Sequence, residues 1–396
     1  MNNEIYLDNS ATTKPYNEVI EYVSEVSKDY YGNPSSLHTK GIEAENLVKN
    51  ARNQISSVLR ADPKEIYFTS GGTESNNMAI IGYLRANPRA GKHIITSEIE
   101  HPSVLEVFKH LSSEGYRVDY IPVDKRGIIQ LEALRKVADR ETALLSFMLI
   151  NNEVGSNQPV SEINAIRKEL CPSAVLHIDA VQAFGKTQIY PAGMNIDLLS
   201  VSSHKIHGPK GIGALYIRKG IKVKPILHGG GQETALRSGT ENVPGICGFG
   251  LAAEMTSSAM EENYKRISTL KAHFIGEIRR NFEDALINSS EEALPYIINV
   301  SFPNLKSEVL LHHLEQKNIF VSTGSACSSH KSSHSYVLKA MGVSPKYIDG
   351  AIRFSLSAEN TIQEMDETVA ALKEIIPVIS IKRRGKVEYE SLNMKV

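Results

Sequence analysis

Ile66-Tyr67-Phe68-Thr69-Ser70-Gly71-Gly72-Thr73-Glu74-Ser75-Asn76-Asn77 passes from a short β-prone run, through two glycines, into a helical pattern from about Glu74. The same alternation continues downstream. His93-Ile94-Ile95-Thr96, Val118-Asp119-Tyr120-Ile121, Ala143 to Met148 and Val175-Leu176-His177-Ile178 read as strands. Helical patterns separate them over Val104 to Leu111, Leu131 to Val137 and Ile163 to Leu170. Leu198-Leu199-Ser200-Val201 and Gly213-Ala214-Leu215-Tyr216-Ile217 add two more strands. Short apolar strands alternating with helices predict an α/β layer on a mostly parallel sheet.

A long helical stretch is expected from about Val243 to Ile278, and the pattern changes beyond it. Strands at Tyr296 to Ser301 and Ala351 to Leu356, with helices at Ser307 to Gln316 and Thr361 to Ile376, predict a smaller α+β unit. The expected division is a large α/β domain over 15–261, a small α+β domain from 1–14 and 262–378, and a tail over 379–396. The small domain would carry a polar loop at about 321–335. The basic run Lys382-Arg383-Arg384-Gly385-Lys386 reads as solvated tail, with a partner-docking patch as the alternative.

With 396 residues, 41% of them hydrophobic, the chain can bury the core such an architecture needs. Its formal net charge of -1 supplies no bulk field for nucleic acid or an anionic membrane surface, so neither partner is expected. Met1 to Tyr6 lacks a basic segment followed by an apolar one, so no secretory signal is expected, and no apolar run is long enough to span a bilayer. Cys171, Cys247 and Cys327 are odd in number and far apart, which fits free thiols in a reducing cytoplasm. Metal-ligand motifs are missing, and no metal is expected.

Four segments carry chemistry. Lys205, in Ser203-His204-Lys205-Ile206-His207-Gly208-Pro209-Lys210, follows an apolar strand, where a lysine can reach a cleft and form a Schiff base with an aldehyde cofactor. A surface lysine is the plain alternative. Asp179 ends Val175-Leu176-His177-Ile178, at the strand end where open α/β sheets bind ligands. It could pair with the pyridinium nitrogen of pyridoxal phosphate, keeping the ring an electron sink, or simply cap the next helix. Gln182 could reach the ring's phenolate oxygen. The turn at Gly71-Gly72-Thr73 offers backbone amides and a helix start to a phosphate. Ala180-Val181-Gln182-Ala183-Phe184-Gly185-Lys186-Thr187 resembles a nucleotide-binding P-loop, but lacks its first glycine, so ATP is not expected. Cys327 stands in polar Ser322-Thr323-Gly324-Ser325-Ala326-Cys327-Ser328-Ser329-His330-Lys331, where nearby basic groups would favour the thiolate; an incidental loop cysteine is the alternative.

Thr69 to Asn77, Ser203-His204-Lys205 with Gly208-Pro209-Lys210-Gly211, Arg237-Ser238-Gly239-Thr240-Glu241-Asn242 and Gly324-Ser325-Ala326-Cys327 together resemble the cysteine desulfurases of the NifS/IscS branch. These are class V, fold-type I pyridoxal-phosphate enzymes, and the resemblance runs from Tyr6-Leu7-Asp8-Asn9 to about Ile376. It implies that Lys205 holds the cofactor, that His101 stacks on its ring and moves protons, and that Asp179 pairs with the ring nitrogen. Read alone, His101 serves equally well as a helix-start histidine. The resemblance further implies Asn152 and Gln182 at the phenolic oxygen, and Gly72, Thr73, Ser202 and His204 at the phosphate. Thr240 would reach the phosphate of the other subunit of a homodimer. Arg353, assisted by Asn33, would grip the carboxylate of L-cysteine. Cys327 would take the sulfur as a persulfide, releasing L-alanine, for iron–sulfur cluster assembly or tRNA thiolation. Two departures stand out. Ser357-Ala358-Glu359 replaces the family's frequent Gly-Arg-Phe, and the stretch from Val378 differs from the scaffold-docking tail of IscS, leaving the sulfur acceptor open. The rival expectations are another pyridoxal-phosphate lyase or aminotransferase, such as a selenocysteine lyase, and a catalytically silent sulfur-relay protein.

Overall fold

The computed structural model describes residues 4–323 and 334–392. Its first eight strands are Ile5–Tyr6 (β1), Ile66–Thr69 (β2), His93–Ser97 (β3), Arg117–Ile121 (β4), Thr142–Met148 (β5), Val175–Asp179 (β6), Leu198–Ser202 (β7) and Gly213–Ile217 (β8). Seven of these form one sheet in the order β2-β8-β7-β6-β5-β3-β4. Only β8 runs antiparallel to its neighbours; the pairs from β4 across to β7 are parallel. Every residue of β3, β5, β6 and β7 is buried, and adjacent apolar residues such as Ile94-Ile95, Leu144-Leu145 and Leu198-Leu199 replace strict alternation in three of them. Successive side chains still go to opposite faces: Ile95, Leu145 and Leu199 enter one apolar cluster, and Ile94, Leu144 and Leu198 the other.

The chain leaves β3 for β4 on one side and later leaves β5 for β6 on the other. The winding reverses there, opening a crevice beyond the carboxyl ends of these strands.

Beyond β8 lie Leu286–Ile287 (β9), Ile297–Ser301 (β10), Ile319–Phe320 (β11), Ser322–Thr323 (β12) and Ala351–Ser355 (β13). Four of them form a second sheet in the order β12-β13-β10-β9. The start of the chain is tied to this region. β1 pairs in parallel with β11, and Asn9 N donates to the Ser355 carbonyl at 3.2 Å. These bonds bring Asp8, Ser10 and Ala11 close to Lys205 and Arg353.

Three local expectations change. The helix after β2 starts at Gly72, and it widens into a π-type turn at Met78–Gly82 before Tyr83–Ala86. The stretch expected as one helix from Val243 to Ile278 is two, Val243–Ser258 and Met260–Asn281, meeting at Ala259. The first is apolar all round and mostly buried, whereas the second buries one stripe through Ile267, Leu270, Phe274 and Ile278. One straight rod could not satisfy both. Finally, the terminal helix spans Ile362–Leu392, through Pro377 and into the segment expected as tail.

Candidate active site

The carboxyl ends of the central strands and the turn after β2 surround a cavity of about 270 Å³. The β2 turn enters its helix at Gly72, where a Cβ would stand 2.6 Å from Val181 Cγ2. Glycine lets this backbone lie against Val181, so Gly72 and Thr73 line the cavity. The first amides of a helix have no partners within it and suit an anionic group. Facing the same space, Ser202 Oγ at the end of β7 is buried without a hydrogen-bond partner among the described residues. His204 is beside it. Burial lowers its imidazole to about 4, aided by the charges of Lys205, Lys210 and Lys186, so it is neutral at pH 7.

Asp179 is buried at the end of β6 and lines the cavity. Val181 N donates to its Oδ1 at 3.0 Å and Asn76 Nδ2 to its Oδ2 at 2.8 Å. No helix follows Asp179 before β7, so the helix-cap reading does not hold; the carboxylate accepts from a turn amide instead and lines the cavity. Asn76 Nδ2 also donates to Ser103 Oγ at 2.9 Å, and Ser103 Oγ lies 2.8 Å from His101 Nδ1. His101 caps the helix Pro102–Ser113 by accepting from Ser103 N at 3.1 Å. Because Nδ1 accepts, the neutral ring carries its proton on Nε2. Burial lowers the His101 imidazole; Asp179 opposes this and Lys205 adds to it.

Lys205 Nζ lies in the same cavity and donates to the Ser10 carbonyl and, at 2.7 Å, to the Ala11 carbonyl. Gln182 Nε2 donates to Ser10 O at 2.9 Å. Asn152 lines the cavity with a buried Oδ1 that lacks a partner among the described residues. Arg353 is 3% exposed and double-braced: Nη2 to Asp8 Oδ1 at 2.8 Å and Nη1 to Asn152 O at 3.0 Å. Its Nε has no partner among the described residues. Such a fork, held on one edge, leaves donors for a carboxylate.

The structure does not gather every candidate. Asn33 is exposed and outside the cavity, its Oδ1 accepting from Ser35 N at 2.9 Å within a local turn. Thr240 is also exposed and does not line the cavity. Cys327 lies outside the described residues. The other two cysteines are buried, and burial pushes both thiols up to about 11, which disfavours a nucleophilic role. Among the described residues no cluster of His, Cys, Asp or Glu could hold a metal, and no helix is long and apolar enough to cross a membrane.

Sequence reading missed Asn76, Ser103, Asp8 and Ser10. Asn76 and Asp8 stood inside quoted motifs, but their partners are 103 and 345 residues away along the chain, and no local signal reports that.

The fold and this site define a class. The family model described as aminotransferase class-V matches residues 5–368, and the chain belongs to that pyridoxal-phosphate-dependent family. Within it the relatives are cysteine desulfurases, and the chain belongs with them. It is 43% identical over 377 residues to the cysteine desulfurase IscS of Dictyoglomus turgidum, covering 95% of each chain. It is 44% identical over 375 residues to that of Methanosarcina thermophila, covering 95% of this chain and 92% of the other. A solved NifS-like protein superposes with a TM-score of 0.90 at 40% identity, over 95% of this chain and 100% of that one. The structure of SspA in complex with cysteine superposes with a TM-score of 0.80 at 34% identity, over 90% and 100%.

The residues present fit the cofactor of this class. Ser202 Oγ and Asn152 Oδ1 are buried polar atoms without described partners in one cavity with Asp179 and Lys205. Buried polar atoms are ordinarily satisfied, so this pattern suits a polar occupant.

Proposed function

We propose that this cleft removes the sulfur of L-cysteine and leaves it as a persulfide on Cys327, with L-alanine as the other product. The observation that carries the reading is convergence. Lys205, His101, Asp179 and the braced Arg353, distant along the sequence, line one cavity of about 270 Å³. Gly72, Thr73, Ser202 and His204 would hold the phosphate of pyridoxal phosphate, Asp179 its ring nitrogen, Asn152 and Gln182 its phenolic oxygen, and His101 one face of its ring. Bound there, the cofactor supplies an electron sink for the substrate α-carbon.

The chain's own residues do the rest. Arg353 orients the substrate by its carboxylate, with Asp8 holding the guanidinium in place. Lys205 would anchor the cofactor and move the proton at the substrate α-carbon. The Cys327 thiolate attacks the substrate sulfur. A sulfur–sulfur bond forms, the carbon–sulfur bond breaks, and the carbon fragment takes up a proton to become alanine. Sulfur then passes to an acceptor protein serving iron–sulfur assembly or tRNA thiolation.

The reading extends to organisation. Residues 15–261 form the cofactor-binding domain, and 1–14 with 262–378 the smaller domain carrying Cys327. Thr240, exposed and not lining its own cavity, would complete the partner's phosphate site in a homodimer. A reducing cytoplasmic setting suits the unpaired Cys171 and Cys247. The test is a single turnover of the purified protein with L-cysteine, measuring alanine and protein-bound persulfide. Equal amounts of the two are expected. Alanine without protein persulfide would favour a lyase acting without Cys327.

A further inference from the structure

The turn Ala180 to Thr187 carries a lysine that the reaction does not use. Lys186 is 5% exposed. Its Nζ lies 3.3 Å from Gln182 Oε1 and 5.6 Å from the centroid of the Tyr296 ring. Gly185, at φ +72, permits the placement: a Cβ there would stand 2.8 Å from Ile206 Cγ2. The segment that resembles a P-loop on paper thus turns its lysine into the protein interior.

Gln182 is held from both ends. Its Oε1 accepts from Lys186, and its Nε2 donates at 2.9 Å to the Ser10 carbonyl, which also accepts from Lys205. An ammonium only donates and a carbonyl only accepts. A flipped amide would set its carbonyl against the Ser10 carbonyl and, when Lys186 is protonated, N–H groups against its ammonium. The network therefore admits one orientation. An amide nitrogen has two hydrogens, Ser10 takes one, and Gln182 lines the cavity.

We propose that Lys186 is a positioning residue, fixing Gln182 so that it presents an N–H, and not a carbonyl, to the oxygen substituent of the bound ring. This rests on the reading of the cavity as a pyridoxal-phosphate site. Burial, reinforced by the charges of Lys205 and Arg353, lowers the Lys186 amine to about 7. Replacing a buried charge by an apolar side chain of similar length is often neutral or stabilising, so stability and positioning can be separated.

The experiment compares wild type, Lys186→Met, Lys186→Arg, Gln182→Leu and the Lys186→Met/Gln182→Leu double variant. Each apoprotein is titrated with pyridoxal phosphate, recording affinity and the absorption band of the bound cofactor, with melting followed separately. Lys186→Met is expected to weaken affinity by roughly 3- to 10-fold, one hydrogen bond's worth, and to shift the band. Lys186→Arg should restore both, and the double variant should match Gln182→Leu. Wild-type affinity and band in Lys186→Met, or effects that add in the double variant, would overturn the proposal. Should Lys186→Met not fold, the remaining variants decide. A wild-type band in Lys186→Arg with a shifted one in Gln182→Leu supports it, and the reverse overturns it. Wild-type apoprotein that binds no pyridoxal phosphate would instead overturn the reading of the cavity itself.

Discussion

Asp8 Oδ1 lies 2.8 Å from Arg353 Nη2, joining a residue near the chain's start to one in β13. Arg353 is almost completely buried, and Asp8 is partly so, with 21% of its side chain exposed. The carboxylate therefore balances the guanidinium charge and fixes its plane, while Nε stays without a described partner.

Changing Asp8 to Asn keeps the shape but removes the charge. The KM for L-cysteine should rise about tenfold, as expected for weakening a charge-assisted bond. Affinity for pyridoxal phosphate should stay within about twofold. Steady-state kinetics and cofactor titration measure the two. An unchanged KM would show that Asp8 does not position Arg353 for substrate.

Asn76 joins Asp179 to the Ser103–His101 pair, donating to Asp179 at 2.8 Å and to Ser103 at 2.9 Å. Asn76→Ala leaves both without that donor inside a buried site, at a cost of about 1–3 kcal/mol. A lower melting temperature and faster loss of cofactor on dialysis are expected. Asn76→Asp should be worse, since a second carboxylate would face Asp179. Full retention of cofactor in both variants would contradict the linkage.

Glu153 supplies a pH test outside the cavity. It is fully buried, accepts from Ser335 Oγ at 2.5 Å, and burial raises its carboxyl from the ordinary 4.5 to about 7, against the opposing pull of Ser335 and Arg353. The folded state thus holds this proton more tightly than the unfolded chain. The stability it contributes is complete below about pH 4.5 and is lost as pH rises through about 7. Relative to Glu153→Gln, wild type should lose on the order of 1–3 kcal/mol across that window. Urea unfolding at several pH values measures it, and parallel curves would refute the assignment.

The sequence made the layer architecture legible because both-face burial leaves its mark in each strand separately: Leu144-Leu145 and Leu198-Leu199 are apolar pairs whichever strands adjoin them. Lys205, Asp179 and Gly72 were legible because each stands at a strand end. What stayed hidden depends on partners far away in sequence. The Asp8–Arg353 pair, the Asn76 bridge and the Ser10 carbonyl shared by Lys205 and Gln182 arise only when β1 joins β11 and the first residues close over the cavity. The break at Ala259 was hidden for another reason. Neither proline nor glycine stands at the break, and the change in which face is buried divides the two helices.

Transfer of one sulfur atom from substrate to one thiol is the centre of this account. Mass spectrometry of the protein after a single turnover with L-cysteine tests it most directly, with Cys327→Ser as the comparison. The account predicts one added sulfur on the Cys327 peptide, none on Cys171 or Cys247, and cofactor bound but no protein persulfide in Cys327→Ser. Sulfur on either buried cysteine, or undiminished persulfide formation in Cys327→Ser, would contradict it.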